Sequence, residues 1–202
     1  MTTLREGNQQ TQGLRERKKA KTRAAIQRHA LRLFEEQGYE DTTVEQIAEA
    51  AEVSPSTFFR YFPTKEEVVL YDDLDPILFA AFEAQPAELN PIQAMRRALR
   101  EVFGGATSAE VDQQWERGRL IFSVPELRMR VLDQLSDTLQ ESAEMIARRV
   151  GRRPDDFAVH IYAGTIVGAL LSAMLVGLKD TQADLIELMD ASLAYLDAGM
   201  PL

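Results

Sequence analysis

The chain has 202 residues, of which 45% are hydrophobic, and it contains no cysteine, so disulfide-stabilised folds and thiolate chemistry are excluded. Its net charge is −9, but residues 1–65 carry 11 Lys and Arg against 9 Asp and Glu, whereas the remainder carries 12 against 23. The N-terminal part is therefore slightly basic and suits an anionic partner, although the whole chain is acidic. The first residues lack the apolar run of a signal peptide, which predicts a cytoplasmic protein.

The first predicted helix follows a polar arm. Residues 1–14 are rich in Gln, Thr and Gly, and this composition predicts a disordered, basic and polar arm. From residue 15 onward the apolar spacing predicts a helix that stops at Gly38, where a left-handed conformation is expected. The inward stripe of this helix consists of Ile26, Ala30, Leu33 and Phe34.

Basic residues cluster on this helix and just before it. They indicate either an electrostatic contact with phosphates or a solvated charged face. The cluster comprises Arg15, Arg17, Lys18, Lys19, Lys21, Arg23, Arg28 and Arg32.

Residues 42–65 predict two short helices joined by a tight turn. A capping box between Thr42 and Glu45 can start the first of them. The alternative box pairs Thr43 with Gln46. The inward face of this helix is formed by Val44, Ile47, Ala48 and Ala51.

The second short helix has its own start signals and an unusual outer face. Ser54 is the expected N-cap and Pro55 suits the first turn, while Phe58 and Phe62 point inward. An Arg can grip guanine in the major groove, and an apolar group can meet the thymine methyl. The outer face comprises Pro55, Ser56, Phe59 and Arg60, flanked by Thr57 and Tyr61. This pattern is typical of a helix-turn-helix that binds duplex DNA.

Residues 15–69 resemble the DNA-binding domain of the TetR family of transcriptional regulators. The resemblance rests on two blocks, FEEQGYEDTTVEQIAEAAEVS and TFFRYFPTKEE. It implies a helix-turn-helix DNA-binding domain over residues 15–65 and a helical domain for effector binding and dimerisation over residues 66–202. The fold expected is therefore all-α.

The resemblance also implies roles for individual residues. Phosphate contacts are expected from Thr43, Thr57, Tyr61 and Lys65, and base-edge contacts from Pro55, Ser56, Phe59 and Arg60. Two positions depart from the family pattern. Glu52 stands where many members have Gly, and a left-handed Glu costs about 1 kcal/mol. Pro55-Ser56 replaces the more usual Lys-Gly type of pair, which leaves the recognised base sequence open.

The rest of the chain predicts helices throughout. The predicted spans lie near residues 65–84, 91–103, 109–123, 126–150, 155–178 and 183–198. No charged residue occurs from His160 to Leu178, which is compatible with a membrane span or with a helix buried on every side. We favour burial against a second copy of the chain, with Gly164, Gly168, Ala169 and Ala173 allowing close approach. The last helix is expected to add Leu185, Leu188, Met189, Leu193 and Leu196 to this homodimer interface.

The middle helices carry many large apolar side chains, which either fill a core or line an effector cavity. Polar-tipped residues among them can orient an effector, although a buried, hydrogen-bonded histidine is the ordinary reading of His160. The candidate effector-binding residues are Phe82, Phe103, Trp115, Arg119, Phe122, Met129, His160 and Tyr162.

The usual catalytic constellations are absent from the sequence, so we expect no enzyme activity, no cofactor and no metal site. The function predicted is a sequence-specific transcriptional regulator, a repressor released from a palindromic operator by a small apolar effector. The FFRYFP block followed by DDLD resembles the actinobacterial subgroup of the mycofactocin regulator, which implies an acyl-CoA-like effector. The alternatives are a helical protein-binding adaptor and a membrane-associated helical protein.

Overall fold

The computed structural model describes residues 3–71, 74–105, 107–179 and 184–201, and every regular element in these ranges is a helix. The predicted all-α fold is thus confirmed. The chain divides into two compact units, Met1–Tyr71 and Asp72–Leu202.

The first unit contains four helices. They are α1 (Thr3–Gln37), α2 (Val44–Ala50), α3 (Pro55–Tyr61) and α4 (Lys65–Leu70). The boundary expected after residue 65 falls too early, because α4 packs against α1 and belongs to the first unit. Val68 and Val69 of α4 are fully buried there.

Helix α1 differs from the expectation at its start. It begins at Thr3, so residues 3–14 are helical where a disordered arm was expected, and residues 1–2 lie outside the described residues. No proline interrupts the chain before Pro55, and a nucleated helix gains one hydrogen bond for each residue that it adds. Gly38 ends the helix with a φ of +92°, as expected.

One small core holds the first unit together. Helix α1 packs against α2, and α2 packs against α3. Four side chains of these helices are inaccessible to solvent: Ile26, Ala30, Ile47 and Phe58. Phe62 closes this core, with its ring centroid 6.0 Å from that of Phe58. The helix-turn-helix is therefore supported from inside, as predicted.

The second unit contains six described helices. They are α5 (Leu74–Glu83), α6 (Pro91–Phe103), α7 (Ser108–Ser123), α8 (Pro125–Val150), α9 (Phe157–Gly177) and α10 (Leu185–Asp197). From α6 onward their bounds lie close to the predicted spans. The single helix predicted over residues 65–84 is wrong, because Tyr71 leaves the helical conformation at a ψ of 120°. Pro76 fits only in the first turn of a helix, so a new helix begins at Leu74.

The core of the second unit lies between α6, α8, α9 and α10, with α5 alongside. Leu193 is fully buried in this core, and Met189 and Leu196 pack against it. Leu193 was expected in a dimer interface, and that assignment is wrong because its side chain is inaccessible to solvent. The other residues expected there keep part of their surface exposed, so their place in a dimer interface stays a prediction; they are Leu185, Leu188, Met189 and Leu196. One face of an amphipathic helix must pack on its own subunit, and Leu193 lies on that face.

Helix α9 is buried on one side only. Val159, Ala163 and Ile166 face the core, whereas Ile161 and Val176 are more than half exposed. The expectation that α9 is buried on every side therefore does not hold within one chain. By length and composition α9 is also the one described helix that is able to cross a membrane.

Candidate nucleic-acid interface

Helix α2 begins with a complete capping box. The Thr43 hydroxyl accepts a hydrogen bond from the Gln46 amide at 3.2 Å, and the Gln46 side chain accepts one from the Thr43 amide at 2.8 Å. The structure therefore selects the second of the two predicted boxes. Thr42 is buried instead, and its hydroxyl donates to the Gly38 carbonyl at 2.7 Å.

Helix α3 exposes the side chains predicted to meet base edges. Phe58 points into the core, whereas its neighbour Phe59 is 49% exposed. Phe59 meets the Phe58 ring edge-on at 5.4 Å between centroids, so the core fixes its direction. Pro55, Ser56 and Arg60 are exposed on the same helix. The four predicted base-edge residues thus share one solvent-facing surface.

A hydroxyl cluster caps α3. The Ser54 hydroxyl accepts a hydrogen bond from the Thr57 amide at 3.1 Å. It also lies 2.9 Å from the hydroxyls of both Ser56 and Thr57. Ser54 is the predicted N-cap, and it also restrains the two side chains that follow it. The direction of the Ser56 and Thr57 hydroxyls is therefore coupled to the start of the helix.

Two guanidinium groups lie close to the Tyr61 ring. The guanidinium carbon of Arg60 is 5.4 Å from the Tyr61 ring centroid, and that of Arg23 is 6.0 Å away. Arg23 also stacks on Tyr71 at 4.6 Å and donates to its hydroxyl at 3.1 Å. The sequence placed Arg23 in a basic cluster that either contacts phosphates or forms a solvated face. It did not reveal these contacts, which depend on how α1 approaches α4.

Lys65 makes contacts that its sequence position did not reveal. Its Nζ donates to the backbone carbonyls of Tyr39 at 2.8 Å and Thr42 at 3.3 Å. The same atom lies 4.1 Å from the Tyr39 ring centroid. The ammonium predicted to contact a phosphate is therefore engaged by the turn between α1 and α2.

The other basic side chains of α1 face solvent. Arg32 is exposed and pairs with Glu36 at 3.3 Å. The remaining exposed members of the cluster are Arg15, Arg17, Lys18, Lys19, Lys21 and Arg28. Exposed cations beside the helix-turn-helix supply the sequence-independent attraction that a phosphate backbone requires.

The predicted effector-binding residues do not all lie together. Phe82 is fully buried in the core of the second unit, and Phe103 and Tyr162 pack against that core. Burial raises the pKa of the Tyr162 hydroxyl. Met129 is 56% exposed and His160 is also exposed, so neither faces an interior cavity. The prediction that His160 is buried is also wrong, because His160 lies on the exposed side of α9.

Trp115 and Arg119 form a second group on α7. The Arg119 guanidinium carbon lies 6.0 Å from the Trp115 ring centroid and its Nη1 donates to Glu116 at 2.8 Å. A Cβ atom at Gly177 would overlap the Trp115 ring, so the end of α9 has glycine where this ring packs. Phe122 is half-buried further along α7.

Helix α3, the second helix of the helix-turn-helix, exposes aromatic and polar side chains, and the preceding helix α1 is basic. Together these features define a DNA-binding protein. Residues 26–71 match the family described as bacterial regulatory proteins of the tetR family, and residues 89–201 match the MftR C-terminal domain. The chain therefore belongs to the TetR family of transcriptional regulators, which are not enzymes. The adaptor alternative is not favoured.

Three related proteins define the similarity further. The transcriptional regulator TcmR of Streptomyces glaucescens is 46% identical over 138 residues, 67% of this chain and 60% of TcmR. A Mycobacterium tuberculosis protein named as a regulator of mycofactocin biosynthesis, MftR, is 28% identical over 91% of this chain and 93% of its own. The crystal structure of the Thermus thermophilus repressor FadR with lauroyl-CoA is 28% identical, with a TM-score of 0.54 and coverage of 89% and 95%.

Proposed function

We propose that this chain is a cytoplasmic, homodimeric repressor that binds a palindromic operator and leaves it when an acyl-CoA-like effector binds the second unit. The observation that carries the DNA-binding part is the exposed face of α3, where the core directs Phe58 inward and leaves Phe59 and Arg60 in solvent. A group of aromatic and apolar side chains exposed on one helix face marks a surface that binds a partner.

The proposed DNA interface divides its residues by chemistry. Arg60 presents a fork of donors that matches the O6 and N7 atoms of guanine, and Phe59 offers an apolar edge to a thymine methyl. Pro55 and Ser56 complete the base-facing surface. Hydroxyl groups suit phosphate oxygens, so Thr43, Thr57 and Tyr61 are proposed to fix the orientation on the duplex. Lys65 belongs to this interface as well.

The proposed dimer uses the outer side of α9 together with α10. Exposed residues of α9 recur at alternating intervals of four and three positions, the spacing of a seam between two packed helices. This α9 seam consists of Ile161, Thr165, Gly168, Ser172 and Leu175. A Cβ atom at Gly168 would meet nothing within 4 Å, so its surface is open to a partner. Ala173 faces its own core and does not belong to the seam.

A second copy suits the α9 seam better than lipid does. Thr165, Gly168 and Ser172 give it small and polar positions that permit close helix approach but add little apolar surface for a bilayer. A palindromic site needs two copies of α3 to read successive major grooves, about 34–36 Å apart, and a two-fold dimer supplies two copies.

The effector part of the proposal rests on the second unit. Residues 89–201 match the MftR C-terminal domain, and the related FadR was solved with lauroyl-CoA. An acyl chain requires apolar contacts of the kind that Phe82, Phe103 and Phe122 offer, and a phosphate-bearing head group suits Arg119. Trp115 and Tyr162 complete the candidate set, whereas the exposed Met129 and His160 are left out of it. A coupling of about 1–3 kcal/mol is enough to release a repressor.

DNA binding is tested by selecting bound duplexes from a random pool with the purified protein at two salt concentrations. We expect a palindromic motif that persists at the higher salt. Arg60→Ala should then lose about 1–3 kcal/mol of affinity and accept more bases at one position of each half-site. Arg97→Ala, on an exposed part of α6, is the matched control and should bind normally. Enrichment of no motif would return the protein-binding adaptor to consideration.

Effector binding is tested with lauroyl-CoA, with free coenzyme A and with lauric acid. Trp115 is the only tryptophan of the chain, so its fluorescence reports on the second unit alone. We expect lauroyl-CoA to change this fluorescence and to release the selected operator at the same concentrations. A fluorescence change without operator release would refute the coupling, whereas release by lauric acid alone would assign the effector to fatty acids.

A further inference from the structure

We propose that Ser56 determines base specificity as a hydrogen-bond acceptor, and that it recognises the amino group of an adenine or a cytosine. The reason is that the hydroxyl cluster at the start of α3 uses the only hydrogen that the Ser56 hydroxyl carries. This inference rests on the proposed function, in which Thr57 contacts a phosphate and Ser56 meets a base edge. It deepens that function by naming the chemical group that one residue recognises.

The Ser54 hydroxyl has a full set of hydrogen-bond partners. A serine hydroxyl carries one hydrogen to donate and two lone pairs that accept. One lone pair of Ser54 accepts the hydrogen bond from the Thr57 amide at 3.1 Å. The hydroxyls of Ser56 and Thr57 both lie 2.9 Å from the Ser54 oxygen. With one hydrogen and one lone pair left, Ser54 donates to one of these hydroxyls and accepts from the other.

The hydroxyls of Ser56 and Thr57 therefore have opposite roles. The hydroxyl that donates to Ser54 has used its hydrogen, so it can only accept from a further partner. The hydroxyl that accepts from Ser54 keeps its own hydrogen and can donate it elsewhere. Ser56 is exposed and Thr57 is half-buried, so each hydroxyl keeps access to a partner outside the protein.

The phosphate contact proposed for Thr57 decides between the two arrangements. A DNA phosphate is an anion that only accepts hydrogen bonds, so a hydroxyl that binds it must donate. Thr57 must therefore keep its own hydrogen and accept from Ser54. Ser56 is then the hydroxyl that donates to Ser54, and its own lone pairs are left to accept from the DNA.

The major groove offers few donors to such an acceptor. The amino groups at adenine N6 and cytosine N4 donate there, whereas guanine and thymine present acceptor oxygens. The other base-facing residues do not share this role, because Arg60 only donates and the side chains of Pro55 and Phe59 do neither. Ser56 therefore restricts one position of each half-site to A or C on the strand that it contacts.

The first test locates this position in the operator. Duplexes are selected from a random pool with wild type and with Ser56→Ala, and the contacted position is the one whose base preference disappears in the variant. We expect A or C there in the wild-type motif, preferred about 10-fold over G or T, which is near the low end for one mismatched base pair. A wild-type preference for G or T at that position would overturn the inference, and so would a motif that Ser56→Ala leaves unchanged.

The second test removes only the amino group from the DNA. In the selected operator, purine replaces the adenine, or 2-pyrimidinone replaces the cytosine, at the position that Ser56 contacts. We expect wild type to lose about 10-fold more affinity from this replacement than Ser56→Ala does, because the two changes delete the same hydrogen bond. Any weakening of the base pair itself acts equally on both proteins. Equal losses in the two proteins would refute the contact.

The third test asks whether the cluster sets the role of the Ser56 hydroxyl. Thr57→Val keeps the backbone amide that Ser54 caps but removes the hydroxyl that accepts from Ser54. Ser54 can then donate to Ser56, which frees the Ser56 hydrogen. Base preference at the Ser56 position should extend to G and T, although residue 57 does not contact that base. Selection at lower salt offsets the lost phosphate contact.

Tyr61→Phe is the matched control for Thr57→Val. It deletes another proposed phosphate contact, outside the hydroxyl cluster, and should weaken binding to all sequences alike. An unchanged preference for A or C in Thr57→Val would contradict the inference, because Ser56 would then not depend on the cluster. Binding of no operator by the wild type would refute the proposed function itself, whereas G or T at the Ser56 position of a palindromic operator would refute this inference alone.

Discussion

Glu52 adopts a left-handed backbone conformation in the turn between α2 and α3, with a φ of +54°. Non-glycine residues in this region are strained by about 1–2 kcal/mol, because the Cβ atom approaches the following carbonyl. The amide of Glu52 donates to Glu49 at 3.0 Å, and the next amide, of Val53, donates to Ala48 at 2.9 Å. These two hydrogen bonds hold the turn closed although the left-handed conformation of its central residue, Glu52, is unfavourable.

Glu52→Gly should therefore stabilise the first unit by about 0.5–1 kcal/mol, since relief of the strain exceeds the added chain entropy of glycine. Chemical denaturation followed by circular dichroism measures this change. Glu49→Gly is the matched control, because Glu49 is exposed but helical, and it should destabilise by about 1 kcal/mol. Equal destabilisation by both substitutions would show that the turn carries no strain.

Individual residues of the proposed interface were predictable where the backbone alone determines their direction. Helical spacing separated Phe58 from Phe59, and cap chemistry identified Ser54, because both depend on neighbours along the chain. The partners of Arg23 and Lys65 were not predictable. Long, flexible side chains reach acceptors on other helices, and sequence spacing carries no information about that approach.

At the level of elements, helices α6 and α10 are joined by a charged cluster. Arg96 donates to both carboxylate oxygens of Asp190, at 2.9 and 3.0 Å, and Arg100 donates to the same group at 2.6 Å. The Asp190 side chain is 18% exposed. The hydrogen bond from Arg96 is the main cause that lowers the pKa of the Asp190 carboxyl, and Arg100 adds to the effect.

The lowered pKa makes the stability of the second unit depend on pH. An ionised Asp190 favours the folded state, so its contribution is complete well above the unfolded pKa of about 3.9 and is lost as the pH falls through the folded value. Asp190→Asn should cost about 1–3 kcal/mol at pH 7, and this difference should shrink below about pH 4. Denaturant unfolding followed by Trp115 fluorescence measures it for the second unit.

Asp133→Asn serves as the control for Asp190→Asn. Asp133 is exposed on α8, and its substitution should change stability by less than about 0.5 kcal/mol at either pH. A pH-independent loss in Asp190→Asn would instead assign the effect to packing of the carboxylate and not to its charge.

Most helices of the second unit were predictable because proline and glycine mark their ends. Pro91 and Pro125 open α6 and α8, and Gly151 closes α8 in a left-handed conformation with a φ of +66°. The interruption between α4 and α5 was missed, since the apolar spacing continues across it. Only the position of Pro76 indicated that one helix cannot span both segments.

At the scale of the whole molecule, charge and apolar surface are segregated. The basic cluster of α1 lies in the first unit, and large exposed apolar side chains occur along α9 in the second. Periodicity predicted that α9 is apolar all round, but it did not show which side faces the core, because that depends on the packing of α6, α8 and α10. The same limit misplaced Leu193, whose burial requires the fold to be known.

The proposed dimer predicts the effect of one charge in the α9 seam. Ile161 is 55% exposed in the single chain and would be covered by the second copy. Ile161→Asp brings two carboxylates into the same apolar contact, and burying each charge without a partner is costly. We expect dimerisation to weaken at least about 100-fold, equivalent to about 2.7 kcal/mol, in sedimentation equilibrium. Operator affinity should fall with it, because a palindrome requires two copies of α3.

Met129→Asp is the matched control for this prediction. Met129 is as exposed as Ile161, at 56%, but lies on α8 and outside the α9 seam. It should leave the dimer intact, since an exposed charge there meets only water. If Met129→Asp dissociated the dimer and Ile161→Asp did not, the contact between copies would run along α8, and the exposed side of α9 would need a different partner. If both variants remained dimeric and bound the operator normally, neither surface would join the subunits.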